Sequence, residues 1–220
     1  MEEIKNIMLG HSCCSISIVI VTPLKSTFRR LKEVLNIEKV YDGAFFENCI
    51  FKIDKGNKQG LLILSPQGIA AQDIIELFSD TSILFFGLAG SLSANIKIGD
   101  FVEVKTVVDV EKNTASLTTA GKFRTVKCGY SPCMLGALAK KYCNFAKSVK
   151  CDVVDMETTY CAKTAIQRNN RFTSLLLISD IPEIINFWEV SEQEQKKLKD
   201  CRIVAIDKIV DYINILVKES

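Results

Sequence analysis

Three short stretches constrain this chain most. They are Phe85-Phe86-Gly87-Leu88-Ala89-Gly90-Ser91-Leu92, running on to Ile98-Gly99-Asp100; then Val153-Val154-Asp155-Met156-Glu157; then Leu177-Ile178-Ser179-Asp180. Each places glycines or a carboxylate at the end of a brief apolar run. Short apolar runs of this kind read as strands buried on both faces. In an open α/β sheet, ligands bind at the carboxyl ends of such strands. The three stretches therefore predict both a sheet and the edge of it where chemistry happens.

The rest of the chain supplies the alternation that such a sheet needs. Residues 16–21 are rich in β-branched side chains and read as a first buried strand ending at Thr22-Pro23. Leu24, Phe28, Leu31, Val34 and Leu35 then recur at helical spacing. Residues 43–54 and 60–65 read as two extended runs joined by a turn at Gly56-Asn57, a hairpin signal. Residues 68–78 read as a helix and 83–86 as a strand leading into a Gly87 loop. Residues 101–110 alternate weakly and read as a strand, whereas 111–130 give no clear pattern. Ser131-Pro132 opens a helix to about Tyr142; residues 151–154 and 174–178 read as strands on either side of a helix at 157–168. Ser191-Glu192-Gln193-Glu194 has the form of a capping box. Ile203, Ile206, Val210, Ile213 and Val217 then form an apolar stripe at helical spacing. This alternation predicts one α/β domain, residues 16–220, built on a mixed central β-sheet flanked by helices, with residues 1–15 as an N-terminal extension.

Composition narrows the function classes. The 28 basic and 26 acidic residues nearly balance, and no basic stripe with interleaved aromatics appears, so no nucleic acid partner is expected. No apolar run approaches the ~20 residues of a membrane span, so no membrane association is expected either. The chain starts Met1-Glu2-Glu3-Ile4-Lys5, without a signal-peptide pattern. The nine cysteines lie scattered, several in apolar runs (Cys49, Cys151, Cys161), with no C-x-x-C pair and His11 as the only histidine. They read as small hydrophobes in a reducing cytoplasm rather than as disulfides or metal ligands. Cys13-Cys14 reads as an exposed thiol pair near a loose terminus. No cofactor is expected.

The order and spacing of the three stretches resemble the purine nucleoside phosphorylase and methylthioadenosine/S-adenosylhomocysteine nucleosidase superfamily, from about Ile16 to the C-terminus. The resemblance implies cleavage of a C–N glycosidic bond. That reaction needs a proton for the leaving base and a grip on a ribosyl group becoming an oxocarbenium ion. Asp180, following an apolar strand, is the expected proton donor, since partial burial makes a carboxyl hold its proton. Ser179 belongs to the same Ser-Asp motif. Glu157 is the expected holder of the 2′- and 3′-hydroxyls, because a carboxylate accepts from two adjacent hydroxyls. By resemblance, Met156 packs on the sugar and Asp155 supports Glu157. Gly87, Ala89 and Gly90 are expected to approach the ligand with backbone. The resemblance also implies a homodimer or larger assembly, for which Phe45-Phe46 and Ile184-Ile185-Asn186-Phe187-Trp188 offer apolar surface.

The nucleophile side departs from the family pattern. Nucleosidases carry an acid just after the first strand to activate water; here Thr22-Pro23-Leu24-Lys25-Ser26-Thr27-Phe28 has none. Phosphorylases place an Arg there, and Lys25 is the only counterpart, a candidate phosphate ligand. Leu88 replaces the usual Ser or Thr between the glycines, Phe85 stands where phosphorylases often have an Arg, and the glycine-rich segment before the second helix is altered to Ser65-Pro66-Gln67-Gly68. The sequence leans to hydrolysis of a purine nucleoside or a nucleoside-like substrate. A phosphate-dependent phosphorylase and a catalytically silent nucleoside-binding relative remain the alternatives.

Overall fold

Residue by residue, the central strands alternate between two apolar layers. In β1 (Ile16–Thr22), Ile18 and Ile20 face one layer and Val19 and Val21 the other, all fully buried. A strand buried on both sides has no polar face to show, which is why its sequence reads as a continuous apolar run. The computed structural model describes residues 2–11, 16–41, 45–53, 58–133, 136–182 and 191–218.

In chain order, α1 (Glu2–Leu9) precedes β1; then follow α2 (Lys25–Val34), β2 (Asn36–Tyr41), β3 (Asn48–Lys52), β4 (Gln59–Leu64), a 3-10 turn (Gly68–Ala71), α3 (Gln72–Glu76) and β5 (Ser82–Ser91). The second half contains β6 (Phe101–Val108), β7 (Thr114–Ser116), β8 (Arg124–Tyr130), α4 (Gly136–Ser148), β9 (Val153–Asp155), α5 (Thr158–Gln167), β10 (Arg171–Asp180) and α6 (Glu192–Lys218). Among the described residues, all ten strands belong to one mixed sheet, with order β10-β6-β8-β9-β5-β1-β4-β3-β2 and β7 on β6. A further pairing of β10 with β5 closes β5, β10, β6, β8 and β9 into a ring. β5 makes this closure possible through its length. Its first half pairs with β1 at residues 82–85, its end pairs with β9 at Gly90 and Ser91, and β10 runs along its other edge.

The helices cover both faces. α3 and α5 pack over Val19, Val21, Ile83, Phe85, Leu176 and Ile178; α2 and α6 pack over Ile18, Ile20, Leu84, Phe86, Leu175 and Leu177. The mixed α/β sheet read from the sequence is thus observed. Several local expectations change. Gly87 to Ser91 is not a loop but the second half of β5, its backbone paired with β10. Residues 36–41, unread in the sequence, form a strand on β3, and 111–130 contains β7 and β8. The helix expected from Ser131 begins at Gly136. The buried face of α6 is Leu198, Ala205, Ile206, Ile209, Tyr212, Ile213 and Leu216, whereas Ile203 of the expected stripe is 50% exposed. Finally, α1 is docked on the core: Leu9 is fully buried, and Asn48 donates to its carbonyl (3.0 Å) while meeting His11 Nε2 (2.7 Å).

The hairpin of residues 43–65 is present as the antiparallel β3–β4 pair, but its turn at Gly56-Asn57 lies outside the described residues. So do Cys13-Cys14, Ile184 to Trp188 and the side chain of Glu194 in the capping box. The remaining seven cysteines are not joined in disulfides, and five of them are buried. Among the described residues, no helix is long and apolar enough to cross a membrane, and no group of His, Cys, Asp and Glu is placed to hold a metal ion.

Candidate active site

β10 delivers Asp180 by means of a bulge. Ile178 pairs with Ala89 and Asp180 pairs with Gly90, so Ser179 is the extra residue. A bulge re-aims the side chains next to it. Here the Ser179 hydroxyl donates to Asp180 Oδ1 at 2.6 Å. Burial pushes the Asp180 carboxyl above its ordinary range, and the Ser179 hydrogen bond only partly offsets this. Opposite, Gly90 must be a glycine: a Cβ there would lie 2.4 Å from Pro182 Cγ and 3.3 Å from Asp180 Oδ2. The glycine's function is space for Pro182 and the carboxylate.

β9 ends on Asp155, and the chain turns into α5 through Met156 and Glu157. Asp155 is buried but well held. Its Oδ2 accepts from the Thr158 amide (3.0 Å) and from the Thr158 hydroxyl, and the Cys128 thiol approaches Oδ1 (3.4 Å). Thr158 Oγ1 in turn meets Ser174 Oγ (3.2 Å), tying β9, α5 and β10 together. Glu157 is held from far along the chain: the Gly68 amide donates to its Oε1 at 2.7 Å, across 89 residues. Gly68 sits at φ +72°, and Met156 Cε lies 3.7 Å from where its Cβ would be. Both carboxylates are pushed above their ordinary range by burial, Glu157 further by the charge of Asp155 beside it.

These pieces surround one cavity of about 180 Å³. Ala89, Gly90, Asp155, Met156, Glu157, Ser179 and Asp180 all line it. Two of the sequence-predicted residues do not. Gly87 lies within β5, where a Cβ would meet the Phe85 ring at 2.8 Å, so core packing accounts for it. Lys25 begins α2 with an exposed side chain and stays outside the lining, whereas its neighbours Pro23 and Leu24 are part of it. Leu88 and Gln67 complete that side, and no Lys or Arg lines the cavity among the described residues.

Sequence reasoning missed the wall formed by Ser131, Cys133, Ala139, Cys143 and Pro182. Tyr130-Ser131-Pro132 was the available signal, as a strand end. β8 starts with exposed Arg124 and Thr125, and this polar start hid the strand. A second, more open groove of about 330 Å³ lies against α6, lined by residues including Phe101, Lys197 and Lys208, and holds none of the predicted residues. The carboxylates, not the volume, identify the smaller cavity as the candidate site.

No family model matches the sequence, and no curated protein matches it. The fold, in contrast, has many counterparts among solved structures. The 5′-methylthioadenosine/S-adenosyl homocysteine nucleosidase of Campylobacter jejuni superposes with a TM-score of 0.74 at 15% identity, covering 90% of this chain and 99% of its own. Futalosine hydrolase of Helicobacter pylori strain 26695 gives 0.70 at 14% identity, covering 94% and 99%. A Chlamydia trachomatis MTAN variant bound to MTA gives 0.67 at 12% identity, covering 93% and 98%. The chain shares the nucleosidase-type α/β fold along nearly its whole length.

Proposed function

We propose that the protein cleaves the N-glycosidic bond of a purine nucleoside or nucleoside-like substrate, with water as the nucleophile. The observation that carries this reading is the meeting of Asp180 and Glu157 in one cavity, each at the carboxyl end of a different strand. In this reading, Asp180 works in its protonated form, which its raised pKa favours, and gives its proton to the departing base at N7. The C1′–N9 bond breaks with its electron pair going to the base. Glu157 accepts hydrogen bonds from the 2′- and 3′-hydroxyls, and the Gly68 amide fixes its position. Met156 packs on the sugar; Ala89 and Gly90 bring backbone close. Asp155 holds the turn into α5 rather than the ligand, since its oxygens are already engaged. The fold neighbours support the reading, because they are by name nucleosidases and a futalosine hydrolase.

Water is favoured over phosphate by the lining. A dianion is trapped by positively charged donors, and Lys25 stands outside the cavity. The apolar side chains of Pro23, Leu24 and Leu88 on that side also support a second reading, a silent nucleoside-binding relative. The protein is proposed to act in the cytoplasm as a homodimer, without a cofactor.

The test is incubation with adenosine, guanosine, inosine, uridine and 5′-methylthioadenosine, with and without phosphate, followed by chromatography. Free base and free sugar support hydrolysis. Sugar 1-phosphate, formed only with phosphate and weakened by Lys25→Met, would instead establish a phosphorylase. Binding without any cleavage would establish the silent relative.

A further inference from the structure

A hydrolase needs a group to take the proton of the attacking water, and the segment after β1 offers none. Pro23 and Leu24 line the cavity there, Leu88 lies beside them, and Lys25 points to solvent. We propose that Glu157 is also the general base that activates the water, so that one carboxylate both grips the ribose and receives the water proton. The proposal rests on the hydrolytic reading above.

Three observations carry it. Glu157 lines the cavity together with Asp180, so an acid and a base share one volume. Asp155, the third carboxylate, is committed to Thr158 and Cys128 and braces the turn, whereas Glu157 accepts only from backbone amides, of Gly68 and of Met156, and no side chain occupies it. No cationic side chain forms an ion pair with Glu157 among the described residues, so only backbone amides favour its ionised form. Burial and the Asp155 charge raise its pKa toward the range where a base works at neutral pH. The titratable groups facing it are Asp155, Asp180, Cys133 and Cys143 in the lining, with Tyr130 and Cys161 behind. None of these is a cation, so the upward direction is not reversed.

Asp180 gives a proton to the base, and the C1′–N9 electron pair leaves with it. Water oxygen bonds to C1′ while its O–H pair stays on that oxygen and the proton passes to Glu157. The products are free base and free sugar. Solvent then returns a proton to Asp180 and removes one from Glu157.

The test compares wild type, Glu157→Gln and Glu157→Ala on whichever of adenosine, guanosine, inosine or 5′-methylthioadenosine the wild type cleaves fastest. Gln keeps shape and hydrogen bonds to hydroxyls but accepts no proton. The expected result for Glu157→Gln is kcat lower by ~100-fold or more with KM changed less than ~3-fold. Its residual rate should no longer fall at low pH. Formate should raise the rate of Glu157→Ala, as an exogenous carboxylate filling the gap, and leave Glu157→Gln unchanged. Near-UV circular dichroism and equilibrium dialysis with adenosine check that both variants are folded. A Glu157→Gln kcat within tenfold of wild type, or a wild-type acid limb in its pH profile, overturns this proposal alone and leaves the hydrolase standing. Failure of the wild type to cleave any of the four, or cleavage only with phosphate, overturns the hydrolytic reading and this proposal together.

Discussion

At the scale of single residues, the site is a contest between burial and hydrogen bonding. Asp180 has one hydrogen bond against its burial and keeps an elevated pKa. Asp180→Asn retains shape but has no proton to give, so turnover should fall by at least ~100-fold with little effect on folding. Normal turnover by that variant would remove Asp180 from the mechanism. Glu157 also makes stability depend on pH. Its folded pKa lies above the unfolded value of about 4.3, so the folded state binds the proton more tightly. The group's contribution is most favourable below that value and is lost as pH rises toward neutrality. Glu157→Gln removes the buried charge and should raise Tm by about 2 °C or more at pH 8, and by less at pH 5. An equal Tm change at both pH values would show that Glu157 titrates normally. Both carboxylates stood out in the sequence because they follow apolar runs. The Gly68 amide on Glu157 did not, because no local pattern encodes a contact across 89 residues.

At the scale of elements, strands were easier to read than helix faces. β1, β5 and β10 are apolar at most of their core positions because both faces are covered. α6 carries apolar side chains around much of its circumference, so periodicity alone suggested a stripe through Ile203. Packing chose otherwise. Ile209 is fully buried among the α2-side core, and Ile203 is half exposed. Ile209→Ala should therefore cost about 2–5 kcal/mol, and Ile203→Ala less than about 0.5 kcal/mol. Urea unfolding of the two variants decides it; a larger loss at Ile203 would mean that the helix is rotated. The Gly87 region shows the same limit in a strand. Glycines suggested a loop, yet β5 continues through them, because Gly87 and Gly90 make room for the Phe85 ring and Pro182.

At the scale of the whole molecule, the exposed apolar side chains bear on assembly. Phe45 is 73% exposed, and Val34 and Val40 of the α2–β2 region are 42% and 39% exposed. Scattered apolar exposure is ordinary, but a Phe this open suits an isologous contact. Light scattering at micromolar concentration should give about twice the 24.6 kDa of one chain. Phe45→Ser should lower that mass if the contact runs through it. A wild-type monomer would rule the assembly out.

The sequence by itself determined the fold class and singled out the carboxylates of the candidate site. Apolar runs of strand length, with special residues at their carboxyl ends, are local properties, and burial on both faces leaves its imprint on the central residues of β1, β5 and β10. Only the tertiary structure decided the ring closure through β5 and β10, the bulge at Ser179, the docking of α1 through Leu9 and Asn48, and the exclusion of Lys25 from the cavity. Each depends on which distant segments meet. The physical reason is range: periodicity and turn chemistry act within a few residues, whereas strand pairing and cavity walls are selected by contacts between segments tens of residues apart.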